Sequence, residues 1–359
     1  MQLIRNLAAS AIALVTMAPA AQANQVISIT GQLELKSTGE SQYRVVGVGT
    51  RLQPGDLLRP ATDANVTVLC NDSTIWIVPA GIPSGVSNGC PDRVVKGFRN
   101  AQRWMYPEPG GSNPDIPFTI SPRVQSILDP YPLLQWNPVP GASLYLVRVE
   151  AEQTVWETTV TDSSAVVYPD DAPPLQPGVF YRFTVEADTG AFSDNDLLKN
   201  AQFTLEDEST AARIRSAVAE IQELALSDEM TALAIAQLYE ENNLLYDAIS
   251  TLEKLVNAGS ENALVYQRLG ILYANKLGLN LLAEARYTQG IELARQNQQS
   301  HILADCQAGL AAVKMRLGQV EEADRLTQSA TAAYQGLQDS ESVELLRDTM
   351  DRLNTEMQG

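Results

Sequence analysis

Residues 269–290, LGILYANKLGLNLLAEARYTQG, carry the pattern that decides the fold of the C-terminal part of the chain. Glycine, alanine and large apolar residues recur in it at helical spacing. Similar patterns precede and follow this stretch, which predicts a repeat of paired helices from Thr210 onward. The shared positions are Ala236, Tyr239, Asn243 and Ala248 in the first copy, Gly270, Tyr273, Gly278 and Ala283 in the second, and Ala311, Gly318 and Ala323 in the third.

This repeat resembles the tetratricopeptide repeat (TPR), whose small residues let paired helices approach closely. The matching small positions are Ala236, Gly270 and Ala311, then Ala248, Ala283 and Ala323. The second-position alanines are 35 and then 40 residues apart, so we expect degenerate copies with longer helices in the third. The helix before the repeats and the last helix, with Leu346 and Met350 on one side, are predicted to cap the stack.

The resemblance implies that partners bind the concave surface formed by the first helix of each repeat. The positions carried over to that surface are Gln237, Glu241, Gln267, Asn275 and Arg316. They lack the lysine and asparagine pattern with which related domains hold peptide carboxylates, which argues against a chaperone-tail receptor. A polar, mildly acidic groove favours a basic or neutral protein segment. The alternative is that these side chains are simply solvated.

Residues 123–205 show the alternation of apolar and polar residues typical of β-strands. They resemble a fibronectin type III domain, a small antiparallel sandwich that serves as a spacer or in adhesion. The resemblance assigns Trp136 to the core, Tyr145 to a central strand, and Leu175, Pro177 and Tyr181 to the tyrosine corner. We therefore expect these aromatic residues in a core rather than at a ligand site.

Residues 24–106 contain short alternating runs broken by turn residues, which predict another small antiparallel β module, the first in the chain. The order of residues 48–58, 64–69 and 71–76 resembles the FecR-type periplasmic domain, with a hairpin at Asn71-Asp72-Ser73. FecR proteins relay signals in bacterial envelopes. The proline and glycine content of residues 107–122 predicts a linker to the next module.

Cys70 and Cys90 lie in this first module, and we expect them to form a disulfide. Closing a loop of this length stabilises the fold by roughly 3 kcal/mol in the chain-entropy model. A pair of buried free thiols is the alternative. A basic run formed by Arg93, Lys96, Arg99 and Arg103 follows, and such runs are more often a solvated face than a binding stripe.

The N-terminus carries Arg5, an apolar run from residue 7 to 17 and Ala21-Gln22-Ala23, the pattern of a secretory signal peptide over residues 1–23. An uncleaved membrane anchor is the alternative. No later run of about 18 apolar residues occurs, so we expect no membrane span after cleavage. With the FecR resemblance, this predicts a protein of the Gram-negative periplasm.

Composition excludes several functions. The chain has 25 basic and 43 acidic side chains and a net charge of −18, which opposes nucleic-acid binding. One histidine, His301, and three cysteines cannot form a multi-histidine or Cys/His metal site. Cys306 lies five residues from His301, a spacing that suits a buried small residue better than a dyad. No nucleotide-binding or nucleophile-elbow motif occurs, so neither a cofactor nor catalysis is expected.

The sequence therefore predicts a multidomain β + α protein, with two small antiparallel β modules (FecR-like and fibronectin-like) followed by an α-helical TPR-like superhelix over residues 206–359. The function that fits best is a non-enzymatic periplasmic scaffold whose partners are periplasmic or envelope proteins. One alternative is an envelope protein whose β modules bind cell-wall polysaccharide through Trp104-Met105-Tyr106. A second alternative is a FecR-type signalling component.

Overall fold

The computed structural model of the protein describes residues 24–70, 74–90, 111–123, 125–193, 202–224 and 226–358. Strands occupy the described residues up to Leu205, apart from one helical turn, and helices occupy those that follow. The order of β structure before α structure is as predicted. The predicted signal peptide, the basic run at 93–103 and Trp104-Met105-Tyr106 lie outside the described residues.

The first β module contains two four-stranded antiparallel sheets. In sheet order, one consists of β4 (Arg51–Leu52), β1 (Asn24–Thr30), β6 (Asn65–Leu69) and β7 (Ile75–Val78). The other consists of β3 (Arg44–Val46), β2 (Leu33–Lys36), β5 (Leu57–Pro60) and β8 (Ser84–Gly85), followed by the one-turn helix α1 (Val86–Gly89). Alternate residues of these strands, including Val26, Leu35 and Val66, form one apolar core.

Cys70 and Cys90 form a disulfide with a Cα–Cα distance of 5.2 Å. The bond joins the residue after β6 to the residue after α1. It closes a loop of the length that the sequence predicted, and both cysteines are buried in the module's core. The prediction of this pair is confirmed, and the alternative of two free thiols is wrong.

The second β module has a three-stranded sheet and a five-stranded sheet. In sheet order, the first contains β14 (Ala165–Val167), β11 (Leu133–Trp136) and β9 (Thr119–Ser121). The second contains β10 (Gln125–Ile127), β16 (Gln202–Leu205), β15 (Phe180–Ala187), β12 (Leu144–Glu150) and β13 (Thr154–Thr161), with β10 and β16 parallel.

The aromatic residues that the sequence assigns to the second module's core, Trp136, Tyr145 and Tyr181, lie in that core, as predicted. Trp136 is completely buried, and its ring lies edge-on to Tyr145 at a centroid distance of 5.4 Å. The Tyr181 hydroxyl accepts a hydrogen bond of 2.8 Å from the backbone N–H of Gln176, five residues upstream. This bond ties the start of β15 to the preceding loop.

The prediction of a linker over residues 107–122 has to be corrected for its described part. Residues 119–121 form β9, which pairs with β11 as an edge strand of the second module. Phe118 is 1% exposed and belongs to the same apolar core as the helices. Proline and glycine exclude a long helix from this segment, but they allow an edge strand and a close packing of backbone against backbone.

Eight α-helices follow in the described residues from 206 onward. They are α2 (Glu208–Gln222), α3 (Asp228–Glu241), α4 (Leu245–Asn257), α5 (Ala263–Ile271), α6 (Asn280–Gln296), α7 (Ser300–Arg316), α8 (Val320–Gly336) and α9 (Ser340–Gln358), with a π-helix (Leu272–Lys276) between α5 and α6. Helices α3 and α4, α5 and α6, and α7 and α8 pack as consecutive pairs. The six turns from α3 to α9 each contain one residue with positive φ, and these are Asn243, Gly259, Gly278, Gln298, Gly318 and Gln338.

The small residues of the repeat lie at the helix contacts. All six are buried: Ala236, Gly270, Ala311, Ala248, Ala283 and Ala323. The first and second small positions are 12 residues apart in the first and third copies but 13 apart in the second. The π-helix takes up this extra residue, since each π turn holds one residue more than an α turn between hydrogen-bonded groups. The small positions of all three copies are therefore buried despite the unequal length of the copies.

Candidate functional site

Two of the five residues predicted for the concave surface lie together on α3. The Gln237 Nε2 donates a hydrogen bond of 3.1 Å to Glu241 Oε1. The Gln237 Oε1 accepts a bond of 2.8 Å from the backbone N–H of Ile75 in β7. Gln237 therefore holds the first β module against the helices, and Glu241 remains exposed.

Gln267 lies inside the stack of helices rather than on its surface, and this prediction has to be corrected. It is 2% exposed, and its Nε2 donates to Asp305 Oδ2 at 2.8 Å. The other carboxylate oxygen of Asp305 accepts a bond of 2.8 Å from the Tyr334 hydroxyl. This network joins α5, α7 and α8. Gln267 is buried because α5, the first helix of the middle repeat, is enclosed by its neighbours.

Asn275 and Arg316 end the first helices of the second and third repeats, and both are half-buried. Asn275 lies in the π-helix. Its neighbour Lys276 contacts Glu240 at 3.5 Å, so the ends of the first two repeats' first helices are adjacent. Burial raises the pKa of the Tyr287 hydroxyl. The positive charge of the nearby Arg316 acts to lower this pKa and so offsets part of the rise.

The segment from Gly111 to Arg123 docks on the turn between the π-helix and α6. The Gly111 carbonyl accepts a bond of 3.1 Å from the Leu281 N–H, and the Ser112 Oγ accepts one of 3.0 Å from Asn280 Nδ2. Gly111 has a φ of +59°, and a Cβ there would come within 2.9 Å of the Leu279 Cα. Only glycine allows this approach.

Arg123 completes the docking. It is 1% exposed, its Nε donates to the Leu277 carbonyl at 3.0 Å, and its Nη1 donates to the Thr119 carbonyl at 2.9 Å. A further contact joins the second module to the first repeat, where the Ser126 N–H donates to the Asn243 carbonyl at 3.2 Å. The β modules thus cover part of the helical stack, chiefly the turns of its first two repeats.

Three ion pairs between neighbouring helices were not predicted from the sequence. They are Glu240–Arg268 at 2.9 Å, Glu253–Arg286 at 2.6 Å and Glu284–Lys314 at 2.6 Å. Burial acts to lower the pKa of Lys314, but hydrogen bonds to Glu284 and Glu322 outweigh it and the pKa is raised. The partners in these pairs are 28 to 33 residues apart and on successive repeats, so no local spacing could have identified them.

The histidine and the third cysteine are buried rather than placed at a reactive site. His301 and Cys306 both lie in α7 and are buried. Burial raises the pKa of the Cys306 thiol, so it stays protonated and unreactive at neutral pH. Within the described ranges, no group of three histidine, cysteine or acidic side chains is placed to hold a metal ion. In the same ranges no helix is long and apolar enough to cross a membrane.

Asp247, in the first turn of α4, is a half-buried acidic residue with a strongly perturbed pKa. Burial raises its pKa from 3.8 to about 6, and the negative charge of Asp129 in the second β module adds to the effect. Its Oδ2 is buried and receives no hydrogen bond from the described part of the chain. Burial raises the pKa of the neighbouring Tyr246, and the negative charges of Asp247 and Asp129 add to this effect.

We expect this carboxylate to make stability depend on pH. Between about pH 4 and pH 6 the folded chain keeps a proton that the unfolded chain has lost, so stability falls as pH rises through this window. Asp247→Asn is therefore expected to raise the free energy of unfolding at pH 7.5 by about 2 kcal/mol and to change it little at pH 4. Urea unfolding at the two pH values checks this result.

The exposed Asp348 provides the control, because its side chain is 69% exposed on α9. Asp348→Asn is expected to change stability by less than about 0.5 kcal/mol at either pH. Equal effects of the Asp247→Asn substitution at both pH values would mean that the pKa of Asp247 is not raised in the folded chain.

Comparison with models of known protein families gave no match, and comparison with curated proteins found no similar sequence.

Proposed function

We propose that this chain is an exported, non-enzymatic scaffold that holds protein partners on its helical repeats in the periplasm of a Gram-negative bacterium. The observation that carries the proposal is the stack of three helix pairs with buried small residues at each crossing. Stacks of this kind form extended binding surfaces for other proteins. The proposal extends the resemblance of this region to the tetratricopeptide repeat.

Two further observations support the proposed compartment and architecture. The Cys70–Cys90 disulfide fits an oxidising compartment, and the N-terminal pattern of residues 1–23 fits export. The proposal keeps the FecR-like and fibronectin-like domains, and the buried Trp136, Tyr145 and Tyr181 of the second module support its fibronectin-like part. In this proposal those domains orient the repeats, because β7 and the segment from Gly111 to Arg123 contact them directly.

The contacts narrow the surface that a partner could reach. Gln237 is engaged with Ile75 and Gln267 is enclosed, so neither is available without loss of internal bonds. We assign the partner surface to the ends of the first helices, at Glu241, Asn275 and Arg316. Residues 206–359 carry 24 acidic and 12 basic side chains, so the partner segment is expected to be neutral or basic.

Site-specific photo-cross-linking in cells tests this proposal. A photoreactive phenylalanine analogue would replace Glu241, Asn275 or Arg316, one at a time, in the full chain. The control position is Glu292, which is 63% exposed on the second helix of the middle repeat. We expect the same protein to be captured from the three positions and not from Glu292.

Charge reversal then separates binding from folding. Glu241→Lys and Glu292→Lys change the same charge at two exposed sites, so both variants should fold. Only the first is expected to reduce capture, by roughly tenfold for the loss of one favourable contact. Equal capture from Glu292, or capture of cell-wall glycan alone, would exclude this surface as the partner site.

A further inference from the structure

The outer edge of β13 is unlike every other described sheet edge. The remaining edge strands β3, β4, β8, β9, β10 and β14 have only two or three residues each. The four-residue edge strand β7 is held against α3 by the bond from Ile75 to Gln237. Strand β13 has eight residues, and no other described strand pairs with its outer side.

This edge also lacks the features that prevent pairing with another chain. Lysine, proline and shortness protect exposed edges, and the sequence of β13, TVWETTVT, has none of these. Its one charged residue, Glu157, is bonded to Arg148 at 2.6 Å within its own sheet. A register shift opposite Val149 affects only the start of the strand and leaves residues 156–161 in regular pairing with β12. Those residues are mostly β-branched or aromatic, the types that favour strand pairing.

We propose that β13 pairs antiparallel with β13 of a second copy of this chain, so that two five-stranded sheets join into one sheet of ten strands. A two-fold axis perpendicular to the sheet keeps the two cores on the same face. Because paired residues must then share a face, one residue of the strand lies opposite its own copy. This proposal is independent of the proposed partner surface on the helices.

The side chains select the register. Pairing centred on Glu157 would place two carboxylates directly opposite each other, which is unfavourable. Pairing centred on Thr159 would place Trp156 opposite Asp162, where a φ of +53° ends the extended backbone. Pairing centred on Thr158 places Trp156 opposite Val160 on the core face and Glu157 opposite Thr159 on the outer face. Aromatic and β-branched residues form favourable cross-strand pairs, so the register centred on Thr158 is the one that fits.

Sedimentation of the mature chain, residues 24–359 with its disulfide intact, tests the dimer. Wild-type protein is expected to sediment with twice the mass of one chain. Thr159 is exposed, and each copy of it would face Glu157 of the second copy. Thr159→Glu therefore introduces two like-charge contacts and is expected to weaken the dimer about tenfold, whereas Thr159→Lys introduces opposite charges and leaves it as strong or stronger.

Cysteine pairs test the register directly. The two Thr158 residues would lie within disulfide distance, whereas the two Thr159 residues would be separated by two further positions along the strands. Mild oxidation should therefore give a covalent dimer of Thr158→Cys and not of Thr159→Cys. A monomeric mass at every concentration, equal weakening by both Thr159 variants, or cross-linking of Thr159→Cys alone would overturn the proposal.

Discussion

Arg123→Met is expected to uncouple the unfolding of the helices from that of the β modules. The substitution removes the donors that reach the carbonyls of Leu277 and Thr119 and leaves these acceptors in a buried site. Loss of a buried charged donor in such a position costs roughly 2–4 kcal/mol. The substitution therefore weakens the contact between the segment from Gly111 to Arg123 and the second repeat, because Arg123 bonds to both.

The tryptophans make this uncoupling measurable. All four, at positions 76, 104, 136 and 156, precede the helical region. Tryptophan fluorescence therefore follows the β modules, and far-ultraviolet circular dichroism chiefly follows the helices. In wild-type protein we expect the two thermal transitions to coincide, and in Arg123→Met we expect the helical transition to move to lower temperature on its own.

Arg215→Met is the matched control, since Arg215 is 52% exposed and pairs with Glu208 at the surface. It is expected to cost less than about 1 kcal/mol and to leave the two transitions coincident. If Arg123→Met also left them coincident at an unchanged temperature, Arg123 could not be the residue that couples the modules.

The periodic features of the helices could be predicted from the sequence because they are local. The small residues at positions 248, 283 and 323 repeat along one chain segment, and each is buried at a contact within its own helix pair or the next. The extra residue between Gly270 and Ala283 is also visible in the sequence. Its placement in a π-helix is not, because a longer turn would accommodate one residue equally well.

The contacts between modules could not be predicted, because they join residues far apart in sequence. Arg123 and Leu277 are separated by 154 positions, and Ile75 and Gln237 by 162. The composition of residues 107–122 indicates a backbone that cannot form a long helix, but not the surface on which it packs. The burial of Gln267 could not be predicted for the same reason. A polar residue on a first helix is exposed only if no neighbouring helix covers it, and the sequence does not show which helix does.

Gly270→Ala is expected to destabilise the protein although alanine favours helices. Tyr287 of α6 is buried between two glycines, Gly270 of α5 and Gly309 of α7. A Cβ on Gly270 would lie 2.5 Å from the ring carbon Cε1, and one on Gly309 would lie 2.4 Å from Cζ. The aromatic ring therefore fills the space that two missing side chains provide. Replacing Gly270 requires α5 and α6 to move apart, and replacing Gly309 requires α6 and α7 to move apart.

Overpacking of this kind costs about 1–3 kcal/mol, which exceeds the gain in helix propensity of about 1 kcal/mol. We expect a lower melting temperature by about 5 °C for Gly270→Ala, measured by circular dichroism, and a similar loss for Gly309→Ala. Gly336→Ala is the control, because Gly336 ends α8 and has no atom within 4 Å of its Cβ position. It should be neutral or stabilising.

If Tyr287→Leu is combined with Gly270→Ala, the loss of stability should be less than the sum of the losses of the single variants, because the smaller side chain removes the steric conflict. Strict additivity would mean that Gly270 acts through helix propensity or another contact and that the ring does not require the glycine.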